Sequence, residues 1–176
     1  MMTSRQIDQI LWQVAEEVMG KLAFMFSYPD DEPAEEGSLP EEAVIIASVS
    51  FKGPFDGKLE MLVSPGILPE LAGNMLGIDD GETATEEEQY DAVKELVNVI
   101  CGNLLPEIAG KQAIFKVGVP GIGAENQSTG EKLLAGVRMM TEDERCEIRL
   151  WVQGQIPSDF PLQWAENENM QQREEK

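Results

Sequence analysis

The sequence predicts an α+β fold in which long helices pack on an antiparallel sheet. Two stretches carry apolar residues at helical spacing, one near the N-terminus and one in the middle of the chain. Further along each half lies a pair of strand-like segments joined by a short turn. The long helices and strand pairs therefore alternate, which gives two weakly repeated halves.

The first half begins with a helix predicted over residues 4–28. Thr3 and Gln6 form a capping box at its start, and apolar residues recur behind it at helical spacing. A loop with three prolines ends the helix. The segment "AVIIASVSFKGPFDGKLEMLVSP" then predicts two strands joined by a tight turn, and "GILPELAGNMLGI" predicts a short helix.

The second half begins with a longer helix predicted over residues 86–108. Thr85 and Glu88 form its capping box, and glutamates fill its first turn, where the helix dipole favours negative charge. The segment "KQAIFKVGVP" predicts a strand that ends at Pro120, and "GIGAENQSTGEK" predicts a polar loop. The segment "LLAGVRMMTEDERCEIRLWVQG" predicts the second strand pair.

Length and composition favour a single domain. The chain has 176 residues, of which 42% are hydrophobic, enough to supply one core. We expect this domain to span residues 1–155. The C-terminal extension, residues 156–176, begins with prolines and ends in polar residues, so we expect it to be partly mobile.

The net charge of −20 argues against nucleic acid or an anionic membrane as a partner, since both reward clustered lysine and arginine. The N-terminus lacks the continuous apolar segment of a signal peptide, and no apolar run is long enough to span a membrane. The sequence therefore predicts a cytoplasmic protein.

The absence of histidine from the sequence removes every mechanism that uses an imidazole base or ligand. Cys101 and Cys146 lie in apolar runs and form no CxxC motif, so we expect buried thiols and no zinc site. The glycine-rich loop lacks the spacing of a nucleotide-binding loop, and the acidic loops lack the spacing of an EF-hand. Any catalysis must use carboxylates, amides, hydroxyls or groups of a partner.

A weak internal repeat relates the two long helices. Shifting the sequence by 82 positions places "LWQVAEEVMGKL" on "VKELVNVICGNL", so that apolar positions match and Gly20 falls on Gly102. The polar positions differ, because Gln13 stands opposite Glu95 and Glu16 stands opposite Asn98. Whatever function Glu95 and Asn98 have is therefore present in one copy.

Four residues of the second long helix form a polar ridge. At about 100° per residue, Asp91, Glu95, Asn98 and Gly102 fall within roughly 60° of one another. Asparagine is a mediocre helix former, and glycine costs about 1 kcal/mol in a helix interior. The ridge thus predicts a face where another protein can approach the Asn98 amide; the alternative is that these side chains only solvate a surface helix.

The segment "DAVKELVNVICGN" resembles the signature of the CheC/CheX/FliY chemotaxis phosphatases. Asp91, Glu95 and Asn98 match its acidic residue, glutamate and asparagine, and Pro120 falls one residue short of the usual spacing of its proline. The resemblance to the CheX branch covers residues 4–152 and implies a CheC-like fold. That branch carries one active signature where CheC carries two, which agrees with the single copy here.

The resemblance implies a phosphatase that dephosphorylates the aspartyl phosphate of a CheY-like response-regulator receiver domain. In such proteins the asparagine, here Asn98, orients the attacking water, and the glutamate, here Glu95, pairs with the receiver's active-site lysine. The receiver supplies the Mg²⁺, so no cofactor of the chain's own is expected. Asp91, Gly102 and Pro120 would then contribute to binding the partner.

Phosphoryl transfer depends on positioning and charge more than on covalent catalysis, so a chain without histidine can perform it. One alternative is a non-catalytic receiver-binding or flagellar-switch-like adaptor of the same fold. Another is a purely structural homodimer. Relatives of the CheX type pair through sheet edges, and the strand pair that ends in "IRLWVQG" could offer such an edge, so we expect a homodimer.

Overall fold

The computed structural model describes residues 3–31, 44–123 and 130–154. A short 3₁₀ turn, Pro65–Ile67, precedes the second helix. The helices and strands of the described residues are α1 (Ser4–Leu22), β1 (Ser27–Pro29), β2 (Ile45–Lys52), β3 (Asp56–Val63), α2 (Leu68–Leu76), α3 (Glu86–Ala109), β4 (Lys116–Val117), β5 (Gly121–Ile122), β6 (Glu131–Thr141) and β7 (Glu144–Gln153). This mixture of helices and an antiparallel sheet confirms the predicted α+β class.

The sheet joins the two halves of the chain along its centre. Its order is β1-β6-β7-β3-β2-β4, and β5 also pairs with β2, all in antiparallel fashion. The hairpins β2–β3 and β6–β7 were both predicted, and they meet where β3 pairs with β7, with Leu59 opposite Leu150. Each long helix packs mainly on the hairpin of the other half of the chain, α1 on β6 and α3 on β2 and β3.

The core lies between one face of this sheet and the helices. Along β7 the even-numbered residues from Cys146 to Val152 are buried, while Glu147, Arg149 and Trp151 face the other side. On the helical side α1 packs against α3 and β6, and α3 packs against α2 and β2. The long helices therefore cover the apolar face of the sheet and keep their outer faces toward solvent.

The first helix ends earlier than predicted. The prediction of a helix over residues 4–28 is wrong beyond Leu22, because Phe24 adopts a left-handed conformation with a φ of 53°. The Met25 amide then donates a hydrogen bond of 3.2 Å to the carbonyl of Met19, which closes the helix end. After that point the burial pattern has a period of two, so Ser27–Pro29 pairs with β6 as a strand.

The predicted strand that ends at Pro120 is reduced to Lys116–Val117. A second short strand, Gly121–Ile122, forms where a loop was predicted. Both pair with β2, but the chain uses one more residue between Val117 and Ile122 than β2 uses between Phe51 and Ala47. The extra residue interrupts regular pairing around Pro120. Proline has no amide hydrogen to donate to a neighbouring strand, so the interruption falls at a suitable residue.

Of the two strands in the predicted edge pair, only β6 lies toward an edge of the sheet. β7 lies between β6 and β3, so the prediction is wrong for that strand. Among the described strands, only β1 pairs with the outer side of β6, and it covers residues 139–141. Further along, α1 contacts this edge, where Asp8 accepts a 3.0 Å hydrogen bond from the Gly136 amide. The homodimer stays a prediction.

The predicted domain limit at residue 155 and the C-terminal extension lie outside the described residues. None of the helices in the described ranges is long and apolar enough to cross a membrane.

Candidate functional site

The site is built on α3, whose start is fixed by local hydrogen bonds. The Glu88 amide donates to Thr85 Oγ1 at 3.2 Å, and the Thr85 amide donates to Glu88 Oε2 at 2.8 Å, which confirms the predicted capping box. Three glutamates in the first turn complement the helix dipole. The helix then continues without a break through the signature to Gly110, whose φ is 88°. The signature residues are therefore held on a rigid element.

The two sides of α3 differ as the sequence predicts. Asp91, Glu95 and Gly102 are exposed, and Asn98 is partly exposed. The residues that anchor the opposite side in the core are all fully buried: Val93, Leu96, Val97, Ile100 and Leu104. Packing of this apolar side fixes the rotation of the helix, so the polar ridge faces outward.

The side chains of Glu95 and Asn98 are not engaged within the described parts of the chain: neither makes a hydrogen bond or an ion pair there. They stand three residues apart, which places their Cβ atoms about 5–6 Å from each other on a helix. The amide of Asn98 offers both donors and an acceptor. The ridge thus presents a carboxylate and an amide that are available to an external group.

Asp91 differs from these two residues because it has a partner within the chain. Its Oδ1 lies 2.6 Å from Lys94 Nζ, one turn along the same helix. The Asp91 side chain is 62% exposed and that of Lys94 is 30% exposed. The sequence did not single out Lys94, although its spacing of four residues from Asn98 is a signal that could have indicated it.

Pro120 lies beside the first part of the signature. A shallow groove separates α3 from the β4–β5 segment, and Tyr90, Asp91 and Lys94 line one wall while Pro120 and Ile122 line the other. Glu95, Asn98 and Gly102 lie along the ridge outside the lining of this groove. The fold therefore brings Pro120 to the same groove as Asp91, despite its irregular spacing in the sequence.

Gly102 has open space around it. Among the described residues, a Cβ added at this position would meet no atom within 4 Å apart from its chain neighbours and the nearby backbone of its own helix, and the same is true of Gly20 on α1. Packing among the residues that the structure describes thus gives no reason for glycine at either position. Gly102 also lies four residues before Pro106, whose missing amide hydrogen leaves the Gly102 carbonyl without its usual helical partner.

The corresponding face of α1 carries different groups. Gln13 and Glu16 are exposed, and Gln13 contributes with Val99 and Asn103 to a second groove between α1 and α3. The Asn103 side chain is turned back on its own helix, where Nδ2 donates to the Val99 carbonyl at 2.9 Å. The sequence did not identify this groove, because it forms only where two distant helices pack together.

The two thiols have no place in this site. Cys101 and Cys146 are free and buried, and burial raises the pKa of each to about 12. Such thiols stay protonated at neutral pH and are poor nucleophiles. Among the described residues, no group of three or more cysteine, aspartate or glutamate side chains is arranged to hold a metal ion.

Comparison with known proteins identifies the family. A family model described as chemotaxis phosphatase CheX matches residues 45–144, more than half of the chain. A comparison with curated protein sequences found no match.

Solved structures share the fold at low sequence identity. A chemotaxis protein CheX from Desulfovibrio desulfuricans is 14% identical, with a TM-score of 0.64, and the match covers 84% of this chain and 99% of that one. CheX from Vibrio vulnificus is 15% identical, with a TM-score of 0.63, over 87% of this chain and 100% of that one. CheX in a CheX–CheY–BeF₃–Mg²⁺ complex from Borrelia burgdorferi is 15% identical, with a TM-score of 0.55, and the match covers 83% of this chain and 97% of that one.

These structures share the fold described above, and the family model covers most of the sheet and all of α3. The chain therefore belongs to the CheX family of chemotaxis phosphatases.

Proposed function

We propose that this protein hydrolyses the aspartyl phosphate of a CheY-like response-regulator receiver domain. Membership of the CheX family supports phosphatase activity, and the similar Borrelia burgdorferi CheX forms a complex with CheY. The observation that carries the proposal is the ridge of α3, where Asn98 and Glu95 stand on a rigid helix without partners in the described chain.

Asn98 orients the water that attacks phosphorus. Its amide can accept a hydrogen bond from the water and donate one to a phosphoryl oxygen, which aligns the nucleophile with the bond to be broken. The water oxygen bonds to phosphorus while the bond between phosphorus and the aspartyl oxygen breaks, and the water proton passes to the released phosphate. The loose transition state of phosphoryl transfer needs alignment more than a strong base, so an amide is sufficient.

Glu95 binds the lysine of the receiver's active site. Its carboxylate is exposed one turn from Asn98, so a lysine that pairs with it brings the phosphoryl group toward the amide. The Mg²⁺ that neutralises the phosphoryl charge belongs to the receiver. Asp91, Gly102 and Pro120 border the contact: Gly102 leaves room for the partner's backbone, and Pro120 and Asp91 form the adjacent groove.

The rival function is an adaptor that binds a receiver without hydrolysing its phosphate. Both functions use the same ridge, so turnover is the property that separates them. The test is the lifetime of the aspartyl phosphate on a CheY-like receiver, measured with radiolabelled phosphate, in the absence of the protein and with one molecule per ten receivers. Multiple turnovers support the phosphatase. Binding by calorimetry with an unchanged phosphate lifetime would support the adaptor and contradict our proposal.

A further inference from the structure

Two side chains of opposite charge lie one helical turn before Asn98, on either side of its angular position around the helix. Lys94 precedes it by four residues and Glu95 by three, so both lie one helical turn away. At about 100° per residue, Lys94 lies on the side of the Pro120 groove and Glu95 on the other side of the ridge. The lining of the groove by Lys94 agrees with this placement.

Asp91 holds Lys94 in this position. The distance of 2.6 Å between Asp91 Oδ1 and Lys94 Nζ keeps the ammonium group at the border of the ridge. An exposed pair of this kind on a helix contributes only about 0–1 kcal/mol to stability, so a more highly charged anion can replace the carboxylate at little cost. The pair thus keeps a positive charge on the N-terminal side of Asn98 without tying it permanently, and release from Asp91 leaves the ammonium group free to move toward the amide.

We propose that Lys94 binds the phosphoryl oxygens of the phosphorylated receiver, and that Asp91 positions its ammonium group before the complex forms. The inference rests on the proposed function. A phosphorylated receiver presents a phosphoryl dianion beside its active-site lysine, and Lys94 and Glu95 present a cation beside a carboxylate. This complementary order of charges admits one orientation of the receiver over Asn98.

The contact has a kinetic signature that differs from that of Asn98. The phosphoryl charge is present both in the bound substrate and in the transition state, so Lys94 binds the two about equally. Loss of such uniform binding raises KM and leaves kcat nearly unchanged, whereas loss of the water-orienting amide lowers kcat. Lys94 also distinguishes a phosphorylated receiver from an unphosphorylated one.

The test measures kcat and KM for a phosphorylated CheY-like receiver with Lys94→Gln and Lys94→Arg. We expect Lys94→Gln to raise KM by about tenfold, as the loss of one hydrogen bond to a charged group does, with kcat within twofold. Lys94→Arg should restore most of the affinity, because it keeps the charge. The matched control is Lys52→Gln, which makes the same charge change at an exposed position of β2 next to buried Phe51.

Binding of the unphosphorylated receiver should be the same for Lys94→Gln and the parent protein. Asp91→Asn should raise KM a few-fold. The double variant Asp91→Asn with Lys94→Gln should have the same KM as Lys94→Gln alone, because Asp91 acts through Lys94. An unchanged KM for Lys94→Gln would overturn the inference. So would a loss of affinity for the unphosphorylated receiver as large as the loss for the phosphorylated one. Asn98→Ala in the same assay separates this inference from the proposed function. If Asn98→Ala is inactive, the proposed function holds even when the role of Lys94 is refuted. If Asn98→Ala is fully active, the proposed function itself is refuted.

Discussion

Lys58 on β3 reaches across a whole strand to Glu131 on β6. Its Nζ lies 3.2 Å from Glu131 Oε2 and 3.1 Å from Glu60 Oε1, although β7 lies between β3 and β6. Trp151 on β7 completes the cluster, since its Nε1 donates a 2.7 Å hydrogen bond to Glu60 Oε2. Burial alone would lower the pKa of Lys58, but its hydrogen bonds to the two carboxylates raise it above the ordinary value. The cluster ties three strands together on the face opposite the helices.

Removal of Lys58 should strongly destabilise the protein. The side chain is only 2% exposed, and Lys58→Met would remove the cation that lies within 3.2 Å of both Glu60 and Glu131. We expect a loss of about 3–5 kcal/mol in the free energy of unfolding, measured by urea denaturation. Lys21→Met is the control, because its pair with Glu17 is exposed and should contribute about 0.5 kcal/mol or less. A loss below 1 kcal/mol for Lys58→Met would contradict this account of the cluster.

Alkaline pH should destabilise the folded protein through its buried thiols. In the unfolded chain the cysteines have a pKa near 9.0, whereas burial raises the pKa of Cys101 and Cys146 to about 12. Between these values the unfolded chain loses protons that the folded chain keeps, so stability is complete below pH 9.0 and falls as the pH rises toward 12. Each thiol contributes up to about 1.4 kcal/mol per pH unit. The slope of unfolding free energy against pH should be shallower in Cys101→Ala than in the parent protein.

Asn98→Ala should abolish most activity without loss of stability. Losing one positioned contact in a transition state costs about 2.7 kcal/mol, so receiver dephosphorylation should slow by on the order of a hundredfold. Alanine is the better helix former, and therefore the melting temperature should stay level or rise slightly. The measurements are phosphate lifetime and thermal unfolding of the same preparation. Full activity would refute the mechanism, and an unfolded variant would show that Asn98 has a structural role.

The first helix should contribute no second active site. Gln13 and Glu16 occupy the positions on α1 that correspond to Glu95 and Asn98, so α1 carries the amide and the carboxylate in the reverse order. We expect Gln13→Ala and Glu16→Ala to keep phosphatase activity within about twofold of the parent, since exposed helix positions tolerate alanine. A large loss in a folded variant would mean that both helices act on the phosphate.

Alanine substitutions at Gly102 and Gly20 test whether the partner needs open space beside Asn98. A Cβ meets open space at either position, so Gly102→Ala and Gly20→Ala should each stabilise the folded protein by up to about 1 kcal/mol. Only Gly102→Ala places a methyl group on the ridge beside Asn98. We expect it to raise KM for the phosphorylated receiver several-fold, while Gly20→Ala leaves KM unchanged. Equal KM values for the two variants would show that the ridge needs no room at Gly102.

Local signals in the sequence determined the helices, the hairpins and the polar ridge. Capping boxes at Thr3 and Thr85, the spacing of apolar residues along α3 and the tight turns within each hairpin depend on neighbours a few residues apart, so the chain specifies them before it folds. For the same reason the outward position of Asn98 could be predicted from the rotation of a single helix.

Contacts between distant segments decided the rest. The pairing of β3 with β7, the reach of Lys58 to Glu131 and the approach of Pro120 to Asp91 and Lys94 join residues whose separation along the chain carries no periodic signal. The early end of α1 also has this origin, because pairing of Ser27–Pro29 with β6 competes with helix continuation. Strand order and groove walls are set by which surfaces bury each other in the folded protein, so only the tertiary structure could bring the Pro120 groove alongside Lys94.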